Sequence, residues 1–144
     1  MASGGGNVDV LALGEAMVEF NQTGAGDGRL YLQGFGGDTS NFAIAAARQG
    51  ARVGYVSALG ADRHGEMLRA LWRDEGVDQS GVRTDVDAFT AVYFVSHDAG
   101  GHHFDFVRRA GLVEFDHRLA EGEDVHAGHV AYLRSVSRMN STVA

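Results

Sequence analysis

The chain alternates between short apolar runs and longer stretches of helical period, which predicts strands and helices in turn. Residues 8–14, VDVLALG, form a mostly apolar run closed by glycine, the pattern of a strand buried in a parallel sheet. AMVEF then alternates in part and is followed by a Gly/Asp-rich turn. RLYLQGF after the turn is rich in β-formers, so the two segments predict a hairpin. In GGDTSNFAIAAARQG an Ala-rich stretch begins after Asp38, a plausible N-cap, and ends in Arg48 and Gly50, the chemistry of a helix C-terminus. ARVGYVSALG reads as a second buried strand. The next segment, ADRHGEMLRALWRDEGV, brings His64, Leu68, Leu71, Trp72 and Glu75 near one face at helical spacing. A short polar connection leads to FTAVYFVSHDAGGHHFDFVRR, two strands around a Gly-rich hairpin loop. Strand, helix, strand, helix is an α/β pattern. Residues 1–7 read as a frayed tail. Residues 112–144 are charged and patchy, with EFDHRLAEGED suggesting a helix and HVAYLRSV a strand.

Composition narrows the chemistry. The 144 residues fit one ordinary domain, small for an enzyme of two substrates. The net charge is −7, and every basic residue is arginine, so no lysine is available to bind phosphate as in a P-loop or to form a Schiff base. The arginines are scattered, leaving no basic stripe for nucleic acid, and a small-molecule partner is expected. The absence of cysteine rules out disulfides and thiolate metal sites. No segment approaches the roughly 20 apolar residues of a membrane span, and nothing resembles a secretory leader, so the expectation is a cytoplasmic protein.

The segment QGFGGDTSN joins a strand to a helix. Gly36 and Gly37 let backbone approach a ligand there, and free N–H groups at the helix start can meet an anion or hydroxyl, with Asp38 and Asn41 close by. The alternative is a capped helix after an ordinary turn. The dinucleotide fingerprint of a Rossmann-type dehydrogenase fails at its last position in both places it can be sought: Gly34-x-Gly36 is followed by Thr39, and Gly24-x-Gly26 by Arg29. Of the seven histidines, His102–His103 lie at a hairpin edge and His126 and His129 in the C-terminal stretch, and no converging metal ligands are evident, so no metal site is expected. Tyr93, Phe104 and Phe106 lie in alternating strands, where sheet packing accounts for them. Arg108, at a strand end, is placed to fork two hydrogen bonds to a carboxylate.

The combination of LGEAMVEFNQ, YLQGFGGDTSNFAIAAARQGARVGYVSALGADRHGEML and LWRDEGVD resembles the N-terminal half of the PfkB (ribokinase-like) carbohydrate kinases, most closely the 2-keto-3-deoxygluconate kinases. The resemblance covers about residues 8–111. It implies a three-layer α/β/α sandwich with a small β-sheet lid, the lid being built from residues around 15–35 and 89–108. It also implies phosphoryl transfer from ATP, with Mg2+, to a sugar hydroxyl. Gly36, Gly37, Asp38 and Asn41 would line the sugar site, and the lid would supply Tyr93, Phe106 and Arg108, with Arg108 meeting the carboxylate of a keto-deoxy sugar acid. Similar kinases often carry tyrosine at the position of Phe106. The Gly-Ala-Gly-Asp motif that supplies their anion hole and catalytic base lies in their second half. Here the same letters, ending in Asp27, precede a strand rather than a helix, so no catalytic residue and no ATP site are expected in this chain. A non-catalytic sugar-acid binding or regulatory module is the alternative. A half sheet with an open edge also implies a homodimer through the lid, or self-association.

Overall fold

The computed structural model describes residues 8–24 and 27–108, and the backbone of Val130–Tyr132. Two four-stranded sheets account for most of it. The first is built from β1 (Val10–Leu13), β4 (Val53–Gly60), β5 (Asp78–Asp85) and β8 (Val130–Tyr132), in the order β5-β4-β1-β8. Its β1–β4 and β4–β5 pairs are parallel, and β8 runs antiparallel to β1. The second contains β2 (Met17–Gln22), β3 (Tyr31–Gly36), β6 (Val92–Asp98) and β7 (Gly101–Val107), in the order β3-β2-β6-β7. This is the expected lid, with both hairpins where the sequence predicts them.

Helices α1 (Asp38–Arg48) and α2 (Arg63–Asp74) pack on the first sheet. In α1, Thr39, Ser40, Ala43 and Ile44 are buried, the pairs four residues apart that put one face on the sheet. In α2, Leu68 and Trp72 repeat the same spacing with no exposed surface. Tyr55, on β4, joins both helices. Its hydroxyl lies 2.8 Å from Thr39 Oγ1, and its ring centroid is 4.7 Å from that of Trp72. Trp72 Nε1 donates in turn to Ser40 Oγ at 2.9 Å. Both helices therefore cover the same face, and the opposite helical layer of a three-layer sandwich is not among the described residues.

Two details differ from the sequence reading. Asp38 is the first residue of α1 rather than its cap. Gly37 occupies the cap position with φ 97°, and no side chain caps the helix. The supposed polar connection after α2 contains β5, an edge strand whose exposed, polar alternation hides it from a hydrophobic pattern search. The strand expected in HVAYLRSV is present as β8, while the helix expected in EFDHRLAEGED lies outside the described residues.

Candidate functional site

Two tight junctions tie the lid to the helical layer. Where β3 leaves the lid for α1, a Cβ on Gly36 would overlap the Tyr93 hydroxyl, so glycine is what lets that ring lie against the backbone. A Cβ on Gly37 would sit 2.5 Å from the carbonyl oxygen of Glu15, and its φ of 97° is one that side chains rarely adopt. Where the chain re-enters the lid, Asp62 caps α2 by accepting from Gly65 N at 2.9 Å and also accepts from Thr90 N at 2.6 Å. Burial alone would raise the Asp62 carboxyl, but the two backbone N–H donors, together with the Thr90 hydroxyl and the nearby His64, outweigh it and hold the group below the ordinary carboxylate range.

Register then sets which side chains share a face of the lid. Glu19 on β2 pairs with Tyr93 on β6 and with Gly34 on β3, and Tyr93 pairs with Phe106 on β7, so these residues form one row across one face of the lid. Tyr93 is buried and stacks on the half-exposed Phe106 with centroids 5.6 Å apart. Its hydroxyl donates to a Glu19 carboxylate oxygen. Partial burial, then the Glu19 hydrogen bond and charge, then the charge of Asp38 all push the phenol above its ordinary value, so it remains a protonated donor. The Arg108 guanidinium lies 5.4 Å from the centroid of the Phe106 ring, and its Nη1 reaches Glu15 Oε2 at 3.3 Å.

Tyr93, Phe106 and Arg108 thus come together as expected, with Gly36 against Tyr93. Asp38 and Asn41 are exposed in the first turn of α1, and the field of Asp38 is felt at Tyr93. Two acidic residues belong to the same neighbourhood and escaped the sequence reading: Glu19 and Glu15. The alternation of Met17, Glu19 and Asn21 in β2 was the available signal for Glu19. Glu15 lies in the β1–β2 connection, where no periodicity applies.

Of the Gly-Ala-Gly-Asp run, Gly24 and Asp27 are described. Asp27 has φ 53° and Gly28 φ 75°, Asp27 is exposed beside Arg29 at 3.9 Å, and the chain runs on into β3, not a helix. Asp27 is therefore not followed by a helix N-terminus that could present clustered N–H groups to a phosphate.

The arrangement of a lid sheet facing a glycine-rich helix entry agrees with a match of the pfkB family carbohydrate kinase profile to residues 8–138. The chain belongs to the pfkB family of carbohydrate kinases. Among curated relatives, fructokinase-1 of Oryza sativa subsp. japonica is 41% identical over 96 residues, covering 64% of this chain and 30% of the relative. The 2-dehydro-3-deoxygluconokinase of Dickeya dadantii is 36% identical over 97 residues, covering 65% and 30%. Among solved structures, a fructokinase with bound ATP from Xylella fastidiosa superposes with a TM-score of 0.64 at 35% identity, covering 69% of this chain and 30% of that one. The pfkB chain described here spans about 30% of the length of the curated relatives it matches. The ribokinase-like fold and the correspondence to the N-terminal portion agree with the sequence reading, and the dehydrogenase alternative falls with the family assignment. No helix among the described residues is long and apolar enough to cross a membrane.

Proposed function

We propose that this chain is the sugar-binding portion of a kinase that transfers phosphate from ATP, with Mg2+, to a sugar acid of the 2-keto-3-deoxygluconate type. The observation that carries the reading is the Arg108 guanidinium beside Phe106, in line with Tyr93 on the lid face. A guanidinium there matches a carboxylate by paired hydrogen bonds, while the Tyr93 hydroxyl and the acidic side chains meet sugar hydroxyls. The chain's own part is to bind and orient the sugar. The general base and anion hole of phosphoryl transfer would come from residues other than Asp27.

A neutral ketohexose is the second reading, favoured by one specific feature. Glu15 already partners Arg108, and the charges of Glu19 and Asp38 add to a negative field around Tyr93. Fructokinases also stand among the relatives.

Calorimetry of the chain with 2-keto-3-deoxygluconate and with fructose separates the two. The first reading expects the sugar acid to bind, and Arg108→Ala to weaken it by at least about tenfold, the worth of a lost charge-assisted hydrogen bond. Fructose binding that ignores Arg108→Ala, with no sugar-acid binding, would establish the second. In a coupled assay with ATP the chain is expected to give no turnover, and turnover abolished by Asp27→Asn would overturn the assignment of that loop.

A further inference from the structure

The far end of the lid carries a cluster that sugar recognition does not use. His97 on β6 and His102 on β7 are cross-strand register partners, both exposed, and their Nδ1 atoms approach to 2.8 Å with the rings nearly perpendicular at 80°. Neighbouring bonds specify which nitrogen of His97 carries its proton. The Asn21 amide nitrogen donates to Glu19 Oε1 at 3.4 Å, which turns Asn21 Oδ1 toward His97 Nε2 at 2.9 Å. An amide oxygen only accepts, so His97 Nε2 holds the proton and Nδ1 presents a bare lone pair. That lone pair faces His102 Nδ1, whose proton fills the gap. The His97 backbone N–H donates to Gln22 Oε1 at 2.8 Å, fixing the strand beneath the ring.

We propose that His97 Nδ1 and His102 Nδ1 form a two-histidine site for a divalent late first-row transition metal, which takes the place of the proton between them. His102 then shifts its proton to Nε2, leaving both Nδ1 lone pairs on the metal with no net loss of charge from the protein. Metal–imidazole bonds of about 2.0–2.1 Å at a right angle place two nitrogens about 2.9 Å apart, close to the separation already present, and each ring has only to turn so that its lone pair meets the ion off the line between the nitrogens. The tetragonal geometry that this angle suits is that of copper(II) and nickel(II), and the order of affinity should be copper above nickel and zinc. Asn21 acts as the outer partner that holds a ligating imidazole in the correct tautomer. No group of three or more His, Cys, Asp or Glu able to hold a metal occurs among the described residues, so water completes the coordination. The sequence places His102 beside His103, but the strand alternation separates them. His103 lies on the other face, where Nε2 pairs with Asp98 Oδ2 at 2.8 Å. An ion at this position would clamp the β6–β7 hairpin near its turn.

The test is calorimetric titration of the untagged chain with nickel(II) and with copper(II) in a non-chelating buffer, circular dichroism confirming the fold of each variant. One saturable equivalent is expected. His97→Ala and His102→Ala should each weaken it more than tenfold, Asn21→Ala about tenfold through the lost tautomer bond, and His103→Ala not at all. Selective broadening of the His97 and His102 ring proton resonances by substoichiometric copper(II) gives a second reading that does not depend on any variant. Absence of saturable binding, or binding that survives both His97→Ala and His102→Ala, would overturn the proposal.

Discussion

Replacing Gly36 with alanine tests whether the lid face is organised by the close approach of Tyr93. Gly36 does not have a positive φ, so an alanine is compatible with its backbone, and the burden falls on the overlap of the new Cβ with the Tyr93 hydroxyl. The ring cannot step aside freely. It is stacked on Phe106 at 5.6 Å, and its hydroxyl is held by Glu19. Overpacking of this kind costs about 1–3 kcal/mol, and glycine-to-alanine stiffening of the unfolded chain returns about 0.4–1 kcal/mol. The net expectation is a loss of about 1–2 kcal/mol in urea unfolding. With Tyr93→Ala in the background the clash is gone, and Gly36→Ala should be neutral or slightly stabilising. The stiffening gain is common to both backgrounds and cancels, so the two substitutions together should cost less than their sum by the clash itself, about 1–3 kcal/mol, well above the scatter of independent sites. An equal cost of Gly36→Ala in both backgrounds would refute the idea that glycine is needed there for Tyr93.

Ser40→Ala leaves the fully buried Trp72 indole N–H without its acceptor, for an expected loss of about 1–3 kcal/mol in denaturant unfolding and a shift of Trp72 emission; an unchanged midpoint would show that the bond contributes nothing. Asp62→Ala should cost about 1–2 kcal/mol at pH 7 through the lost cap of α2. Because the folded Asp62 carboxyl lies below its unfolded value near 4, its ionised contribution is present above that pH and fades as pH falls toward and through the folded value. The deficit of the variant should accordingly shrink in unfolding measured near pH 3, and a deficit that grew on acidification would contradict the hydrogen bonds from Thr90 and Gly65. Leu32, Phe104 and Phe106 share one lid face at 69%, 56% and 50% exposure, so sedimentation velocity should show concentration-dependent self-association that Leu32→Ser with Phe104→Ser reduces.

How much of this was legible in the sequence depended on the range of the interactions involved. The buried strands β1 and β4 and the buried helix faces announce themselves through local hydrophobic runs and four-residue spacing, and all appear where the pattern puts them. The polar edge strand β5 offers no such contrast and emerges only by pairing with β4. The site divides along the same line. Tyr93, Phe106 and Arg108 could be named from strand alternation and family resemblance, but Glu19 acquires its role only through register with Tyr93. Glu15 acquires its own through an ion pair with a residue 93 positions away. The histidine pair makes the same point, since His97 and His102 meet only through the register of the hairpin.

The positions of Glu15 and Gly37 explain why the acidic residues and the arginine gather where they do. Among the described residues, the chain crosses between core and lid at Glu15 and Ala16, at Gly37, and before β6. The first two crossings are in contact through the Glu15 carbonyl and Gly37, and the third is joined to them where Val18 N donates to Ala91 O at 3.1 Å. Arg108, at the end of the last lid strand, returns to this junction through Glu15. A sugar bound between Tyr93 and the entry to α1 would therefore touch groups anchored on the same crossings that set the lid's position. A carboxylate ligand for Arg108 would have to compete with Glu15, so binding of an acidic sugar at this face would be coupled to release of a lid-to-core ion pair. A neutral sugar would leave that pair intact.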